Sequence, residues 1–171
     1  MFSVILPVLY DEPALIDTLS ALVEAVADGV LRDAILIGPP SESTDRIADA
    51  AGALRIEANG TREVMILQAA RKAKAEWLLI VTPGLVPTGD WIRSLAEFPK
   101  TAQGVDDAAF LALIPKRGWR AALAALYLNQ KARMSGKPDP RLASLISKST
   151  LLQNRSPRFV GLEGGMIDRR R

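Results

Sequence analysis

The chain has 171 residues, 49% of them hydrophobic and 24% charged, an ordinary balance for one globular domain with a sizeable core. Its 22 Lys and Arg accompany 19 Asp and Glu, and the net charge of +3 does not indicate nucleic-acid binding. The absence of cysteine and histidine excludes disulfides, thiol catalysis, histidine bases and the commonest metal ligands. Any catalysis would therefore use carboxylates, Lys, Arg, Tyr or hydroxyl groups.

The sequence carries no sign of a membrane span or a leader peptide. No segment reaches the roughly 20 consecutive apolar residues that a bilayer-spanning helix needs. The opening segment MFSVILPVLYDEP has no basic leader and its apolar run stops at Pro7, which is typical of a first strand and not of a signal peptide. We therefore expect a cytoplasmic protein.

Strands and helices alternate along the first half of the chain. Strands are predicted at 2–6, 34–37, 54–58 and 77–81, where short apolar runs are followed within two residues by Pro, Gly or Asn. The first helix begins near Pro13 and ends at Gly29, and its predicted buried residues are Leu15, Leu19, Leu22, Val23 and Val26. A second helix ends at Gly52, and a third follows the capping residue Thr61, with predicted buried residues Val64, Leu67 and Ala70.

The second half continues with a helix at 91–98, a strand at 108–114, a long helix at 119–134 and a short strand at 142–146. Leu123, Leu126 and Tyr127 lie on one side of the long helix. We interpret them as a buried face, since burial explains these side chains without a lipid surface. Residues 1–155 are predicted to form a single α/β domain, and residues 156–171 a polar, basic tail.

This alternation predicts right-handed crossovers and a mostly parallel sheet covered by helices on both faces, a three-layer α/β/α domain. Ligands of such sheets bind beyond the carboxyl ends of the strands, near the point where the strand order reverses. Four loops, at 7–12, 38–43, 59–62 and 82–87, are expected to meet there. No glycine-rich phosphate loop such as GxGxxG supports another doubly wound phosphate-binding family.

Four segments carry a resemblance to a known family. SVILPVLYDEPALIDTLSAL, residues 3–22, resembles the opening of family 2 glycosyltransferases, where a strand ends in a proline, a few polar residues and an acidic pair. RIADAAGA (46–53) and AARKAKAEWLLIV (69–81) follow in the family's order, and LNQKARMSGKPDPRLASLISKSTL (128–151) is similar to one small bacterial branch. The resemblance implies a nucleotide-diphospho-sugar transferase (GT-A-like) fold and sugar transfer from a nucleotide-sugar donor to a hydroxyl acceptor.

The resemblance also implies the residues of a site. The nucleotide-sugar-binding candidates are Pro7, Asp11, Glu12, Pro39, Glu42, Arg62, Thr82 and Gly84. The acceptor-side candidates are Asp139 and Arg141, and Glu163 is the candidate catalytic residue. The acids at 11, 12 and 42 have an alternative interpretation as helix N-terminal or solvated acids, and 82–84 as a plain turn.

The chain departs from the family where the family has acids. The family's metal-binding aspartates fall on Thr82 and Gly84, and its acceptor-side glutamate-aspartate pair falls on Gly164 and Gly165. In the family, a divalent metal stabilises the negative charge that develops on the departing nucleoside diphosphate. We therefore expect an erased metal site at 82–84, no bound Mg²⁺ or Mn²⁺, and lost or weakened catalysis.

Three functions remain open on the sequence alone. The first is an active glycosyltransferase in which Arg or Lys replaces the cation. The second is a non-catalytic descendant, or pseudoenzyme, that binds a nucleotide, a glycan or a partner protein. The third is a phosphate-binding module of another family. A nucleotide sugar or nucleoside diphosphate is the expected ligand, nucleic acid is not expected, and peripheral membrane contact has no support in the sequence.

Overall fold

The computed structural model describes residues 1–9, 12–102, 107–115, 119–135 and 140–169. The strands are β1 (Phe2–Pro7), β2 (Leu31–Gly38), β3 (Leu54–Glu57), β4 (Trp77–Ile80), β5 (Leu85–Thr88), β6 (Asp107–Leu113), β7 (Ala143–Ser147) and β8 (Arg158–Asp168). The helices are α1 (Glu12–Ala27), α2 (Glu42–Ala51), α3 (Arg62–Lys72), α4 (Trp91–Thr101), α5 (Trp119–Ser135) and α6 (Lys148–Leu152).

The strands form one eight-stranded sheet in the order β3-β2-β1-β4-β7-β6-β8-β5. The first four strands in this order are mutually parallel, as the alternating strands and helices predict. Beyond them, β7 runs antiparallel to both β4 and β6, while β8 runs parallel to β6 and antiparallel to β5. The sheet is therefore mixed, with its parallel part built from the first half of the chain.

Helices cover both faces of the sheet. Val4 and Leu6 of β1 point into a core shared with α1 and α4, whereas Ile5 between them points into a second core shared with α3. This alternation follows from the two-residue period of a strand, and both faces are buried because helices lie on each. The predicted three-layer α/β/α architecture is confirmed.

The predicted helix ends at Thr61 and Gly52 are confirmed. The Thr61 side chain accepts a hydrogen bond from the Val64 amide at the start of α3. Gly52 ends α2 with φ +64°, a left-handed conformation that glycine adopts at low cost. α2 starts at Glu42, because Ser41 is its N-cap and accepts from the Thr44 amide.

Two predicted helix faces are partly wrong. Val23 and Val26 of α1 are exposed, although Leu15 and Leu22 are buried as predicted. In α3 the predicted Val64 is exposed, and the helix buries Met65, Ile66, Ala69 and Ala70. Where apolar residues occupy more than half of the circumference, periodicity fixes the presence of the helix but not which side meets the sheet.

The predicted buried face of α5 is wrong as well. Leu123, Leu126 and Tyr127 are exposed, and the helix instead buries Ala125, Leu128 and Ala132. Small residues permit a close approach of the helix to the sheet, so the larger apolar side chains are left on the outer side. No helix within the described ranges is long and apolar enough to cross a membrane.

The segment predicted as a polar tail contains β8, which fills a place inside the sheet between β6 and β5. Phe159 and Met166 are buried in the two cores. The strand was missed because Gly161, Gly164 and Gly165 interrupt its apolar pattern, and glycine is normally depleted in strands. The neighbouring short strand β5 was missed for the related reason that it contains Pro87.

The buried Ser3 of β1 links the sheet to the segment before β4. Its hydroxyl donates to Asp33 Oδ1 at 2.5 Å and accepts from the Ala75 amide at 2.9 Å. Replacing Ser3 with alanine leaves that buried amide without its acceptor, so we expect the free energy of unfolding to fall by about 2 kcal/mol in urea denaturation. Ser20→Ala, at an exposed site on α1, is the control and should change stability by less than about 0.5 kcal/mol. Equal losses for the two variants would contradict the role of Ser3.

Candidate functional site

The strand order reverses between β1 and β4. From β1 the chain proceeds outward to β2 and β3 and then returns to place β4 on the opposite side of β1. The carboxyl ends of these parallel strands, at Pro7, Gly38 and Ile80, lie at one edge of the sheet. Such a reversal leaves a crevice at the carboxyl edge, where ligands of open α/β sheets bind.

The chain segments that leave β1 and β2 touch through their backbones. A Cβ atom on Gly38 would lie 2.0 Å from the Val8 carbonyl oxygen, so only glycine fits there. The Val8 amide donates to the Ile37 carbonyl oxygen at 2.8 Å, and the predicted site residue Pro7 is buried beside them. Pro7 therefore contributes by packing at the end of β1.

Arg55 of β3 fixes the segment after β2. Its guanidinium donates to the carbonyl oxygens of Gly38 (3.2 Å), Ile56 (2.7 Å) and Pro39 (2.5 Å), and its Nε donates to Asp45 Oδ1 at 2.8 Å. The side chain is only 12% exposed. Sequence reasoning missed Arg55, although an arginine inside an apolar strand was a usable signal. Arg55 therefore fixes the main chain at Pro39, a predicted site residue, through a hydrogen bond to its carbonyl oxygen.

Arg62 and Thr82, both predicted site residues, are brought together. The Arg62 Nη2 donates to Thr82 Oγ1 at 3.2 Å, and Thr82 Oγ1 donates to the Pro140 carbonyl oxygen at 2.6 Å. Arg62 is half-buried at the first position of α3. The contact joins the start of α3, the turn after β4 and the segment before β7, where the exposed Arg141 follows Pro140. A guanidinium thus lies at the carboxyl edge beside the turn.

The turn after β4 is anchored from two sides. The Gly84 amide donates to Thr18 Oγ1 at 2.8 Å and to the Ala14 carbonyl oxygen at 3.0 Å, which ties the turn to α1. The Gly84 carbonyl accepts from the Arg169 amide at 2.8 Å. Gly84 has φ +89°, which favours glycine over any residue with a side chain. These hydrogen bonds fix the turn to α1 and to Arg169, the residue after β8.

Glu163 lies in β8, away from the Arg62–Thr82 pair. Where β8 runs alongside β5, Gly165 pairs with Thr88, at the end of β5 opposite the turn at 82–84. The Glu163 carboxylate is exposed and lies 3.7 Å from the Arg93 guanidinium in α4, which also pairs with Asp90 at 2.7 Å. The structure therefore does not join the predicted catalytic residue to the predicted donor residues.

The remaining predicted acids have different surroundings or fall outside the description. Glu42 is the first residue of α2 and pairs with Arg46 at 3.2 Å, with both side chains exposed. Asp11 and Asp139 lie outside the described residues. Glu12 begins α1, but its side chain also lies outside the description.

A side chain at Gly164 or Gly165 would meet close neighbours, more rigid ones at Gly164 than at Gly165. Gly164 has φ +88°, and a Cβ there would lie 3.0 Å from the Thr88 carbonyl oxygen. A Cβ on Gly165 would lie 2.6 Å from Ile114 Cγ1 and 3.1 Å from the Ala112 carbonyl oxygen. A carboxylate at Gly164 would strain the backbone, whereas one at Gly165 would require the Ile114 side chain to move.

The turn at 82–84 offers few oxygen ligands for a cation. Its side-chain oxygen is that of Thr82, which already accepts from Arg62 and donates to Pro140. Within the described ranges no group of three or more acidic side chains could hold a metal. Since divalent hard cations prefer carboxylate oxygens, the described residues of this turn do not fit Mg²⁺ or Mn²⁺.

Solved structures of glycosyltransferases resemble the whole fold. Glucosyl-3-phosphoglycerate synthase from Mycobacterium tuberculosis, in complex with Mn²⁺, UDP and glucosyl-3-phosphoglycerate, has a TM-score of 0.65 and 16% identity over 99% of this chain and 72% of the synthase chain. A mannosyltransferase from Pyrobaculum calidifontis, in complex with GDP-mannose and Mn²⁺, has a TM-score of 0.68 and 16% identity over 98% of this chain and 56% of its own. The chain has the GT-A-like glycosyltransferase fold. No protein-family model and no curated protein sequence matches the chain.

These comparisons confirm the predicted fold and correct the predicted cofactor. The expectation of no Mg²⁺ or Mn²⁺ is wrong, because several neighbours of this fold are in complex with Mn²⁺ or Mg²⁺ together with UDP or GDP-mannose. The prediction relied on the missing acids of one turn. Cations of this kind also take ligands from substrate phosphates and water, so a turn without carboxylates does not decide whether a cation is bound.

Proposed function

We propose that this chain is a glycosyltransferase domain that binds a nucleoside diphosphate sugar at the carboxyl edge of β1, β2 and β4 and transfers the sugar to a hydroxyl acceptor. The observation that carries this proposal is the Arg62 guanidinium, held 3.2 Å from Thr82 Oγ1 at the turn after β4. The fold supports it, because the neighbours of this fold are in complex with UDP or GDP-mannose.

Arg62 has the chemistry that a departing diphosphate needs. A guanidinium offers several N–H donors in a planar fork that matches phosphate oxygens, and it stays charged at any physiological pH. Its position at the first residue of α3 adds the positive end of the helix dipole. Negative charge that develops on the leaving diphosphate is then met by donors already in place, which lowers the barrier to transfer.

The nucleoside is assigned to the segments after β1 and β2. Arg55 holds the carbonyl groups of Gly38 and Pro39 in place, so the segment after β2 presents a fixed backbone surface. A fixed surface loses little conformational freedom when a ligand binds. Pro39, which is half-buried, is the described residue of this surface that we assign to contact with the nucleoside.

A divalent cation enters the proposal only as a companion of the diphosphate. The described residues at 82–84 do not fit it, and the candidate acids Asp11 and Asp139 lie outside the described residues. The contribution of the cation is measured as one arm of the titration described below.

A second candidate, nucleotide-sugar binding without transfer, is favoured by the geometry of β8. A side chain at Gly164 would be strained and one at Gly165 would displace Ile114, and Glu163 pairs with Arg93 of α4. A hydroxyl acceptor needs a base to take its proton, and the described carboxylates of β8 are the exposed Glu163 and Asp168, which pairs with Leu85 at the end of the strand. The two candidates share the donor site and differ in turnover.

Calorimetric titration tests the proposal directly. We expect UDP or GDP to bind the full chain, and to bind more tightly with Mn²⁺ than without it, while adenosine, which has no phosphate, does not bind. Release of UDP or GDP from the matching nucleotide sugar in the presence of a mixture of hydroxyl acceptors supports transfer. Binding without release supports the second candidate. Failure of both nucleotides to bind, with and without Mn²⁺, contradicts both.

A further inference from the structure

The outward face of α5 is made of large apolar side chains. Five of them stand well exposed: Trp119 (69%), Leu123 (56%), Leu126 (57%), Tyr127 (66%) and Met134 (85%). At 3.6 residues per turn they share one side of the helix. Ala125, Leu128 and Ala132, on the other side, pack against the sheet and are buried. The helix therefore has two apolar stripes, and only the stripe with the smaller side chains is buried against the sheet.

Cations border the outer stripe on both sides. The sequence of α5, WRAALAALYLNQKARMS, contains Arg120, Lys131 and Arg133 and no Asp or Glu. By helical spacing, Arg120 and Lys131 flank one side of the stripe and Arg133 flanks the other. All three side chains are exposed, and the Arg120 guanidinium lies 5.4 Å from the Trp119 ring centroid. An apolar stripe with cations on both sides is the pattern of a helix that lies in a membrane interface.

The exposed apolar residues of α1 have the opposite electrostatic setting. Ile16, Val23 and Val26 are also exposed, but the sequence of the helix, EPALIDTLSALVEAVA, contains three acids and no Lys or Arg. Anionic lipid head groups repel acidic side chains and attract basic ones. Exposure alone therefore does not distinguish the two helices, whereas charge does.

We propose that the outward face of α5 binds the surface of an anionic lipid bilayer, with the helix axis parallel to the membrane. Trp119 and Tyr127 have the amphipathic rings that favour the head-group region, and Leu123 and Leu126 would enter the acyl boundary. The flanking cations would meet lipid phosphates while their aliphatic stems cover the apolar stripe. This interaction is independent of the proposed donor site.

The charges also decide against a second copy as the occupant. In a two-fold symmetric contact through this face, each α5 would place Arg120, Lys131 and Arg133 against the same residues of the other copy, with no acid on either helix. Like charges in contact are unfavourable, whereas an anionic bilayer neutralises all three.

Vesicle sedimentation of the full chain tests the proposal. We expect the chain to bind vesicles of phosphatidylcholine mixed with phosphatidylglycerol and to bind pure phosphatidylcholine much more weakly, with the difference shrinking at high salt. Leu123→Glu with Leu126→Glu should lower the partition coefficient for mixed vesicles at least about tenfold. The matched control is Ile16→Glu with Val23→Glu on α1, which should leave the partition coefficient unchanged. Circular dichroism verifies that both double variants are folded.

Trp119 supplies a second readout. Trp91 is buried and Trp77 is partly buried, so a blue shift of tryptophan emission on mixed vesicles should come from Trp119 and disappear in Trp119→Phe while sedimentation persists. Failure of the native chain to bind mixed vesicles, or equal binding by the α5 and α1 variants, would overturn the proposal. A dimer in analytical ultracentrifugation that the α5 variant dissociates would assign the face to a second copy instead.

Discussion

Replacing Gly38 with alanine should lower the free energy of unfolding by about 4 kcal/mol. The new Cβ would lie 2.0 Å from the carbonyl oxygen of Val8 and 3.1 Å from the carbonyl carbon of Val8. Both are backbone atoms, so no change of side-chain rotamer can relieve the clash. Separating the two segments would break the hydrogen bond from the Val8 amide to Ile37 (2.8 Å) and strain that from the Ala58 amide to Gly38 (2.9 Å). The loss is measured by urea denaturation followed by circular dichroism.

Gly52→Ala is the matched control for this variant. Gly52 also favours glycine, with φ +64°, but no atom lies within 4 Å of the position of its Cβ. Its replacement adds conformational strain without a clash, and we expect a loss of about 1 kcal/mol. If the two alanine variants lose the same stability, the close contact between the segments after β1 and β2 is not as described.

Replacing Arg62 with glutamine should weaken the binding of UDP or GDP by about thirtyfold, because one charge-assisted contact to the diphosphate is lost. Glutamine is too short to reach Thr82 Oγ1, but Thr82 keeps its hydrogen bond to the Pro140 carbonyl oxygen (2.6 Å), so the turn after β4 retains a partner. The affinity is measured by the calorimetric titration, and thermal denaturation reports whether the variant is folded.

Arg71→Gln is the control for the loss of charge. Arg71 is exposed in the last turn of the same helix, at the end opposite Arg62, and its replacement changes the net charge by the same amount. We expect its affinity to equal that of the native chain. Equal affinity for the native chain and a folded Arg62→Gln would remove Arg62 from the donor site. In that case nucleotide binding by the native chain would still support the proposed function, so a failure of the Arg62 assignment can be distinguished from a failure of the proposed function.

The parallel half of the sheet was predictable because its strands are buried on both faces. β1, apart from Ser3, and β4 appear in the sequence as apolar runs, and the ends of α2 and α3 carry Gly52 and Thr61, whose preferences depend on the local backbone. The faces of α1, α3 and α5 were less predictable. Each helix has apolar residues on more than one side, and only the packing against the sheet selects which side is buried.

The site was predictable in its location and not in its contacts. Strand order and family resemblance both direct attention to the carboxyl edge, which contains Arg62 and Thr82, but their hydrogen bond joins residues far apart in the chain. Arg55 was missed because three of its acceptors are main-chain carbonyl groups, which carry no sequence signature. The roles assigned to Asp11 and Asp139 stay predictions, since these residues lie outside the described ranges.

The place of β5 in the sheet has a consequence for the order of folding. Within the described residues, β5 lies at one end of the sheet and pairs with one strand, β8, which comes last in chain order. During synthesis β1 to β4 can pair as soon as they leave the ribosome, whereas β5 must wait for a partner about 80 residues downstream, and such distant pairings form slowly. The turn at 82–84, which directly precedes β5, therefore acquires its final anchor late, after the parallel half of the sheet has formed.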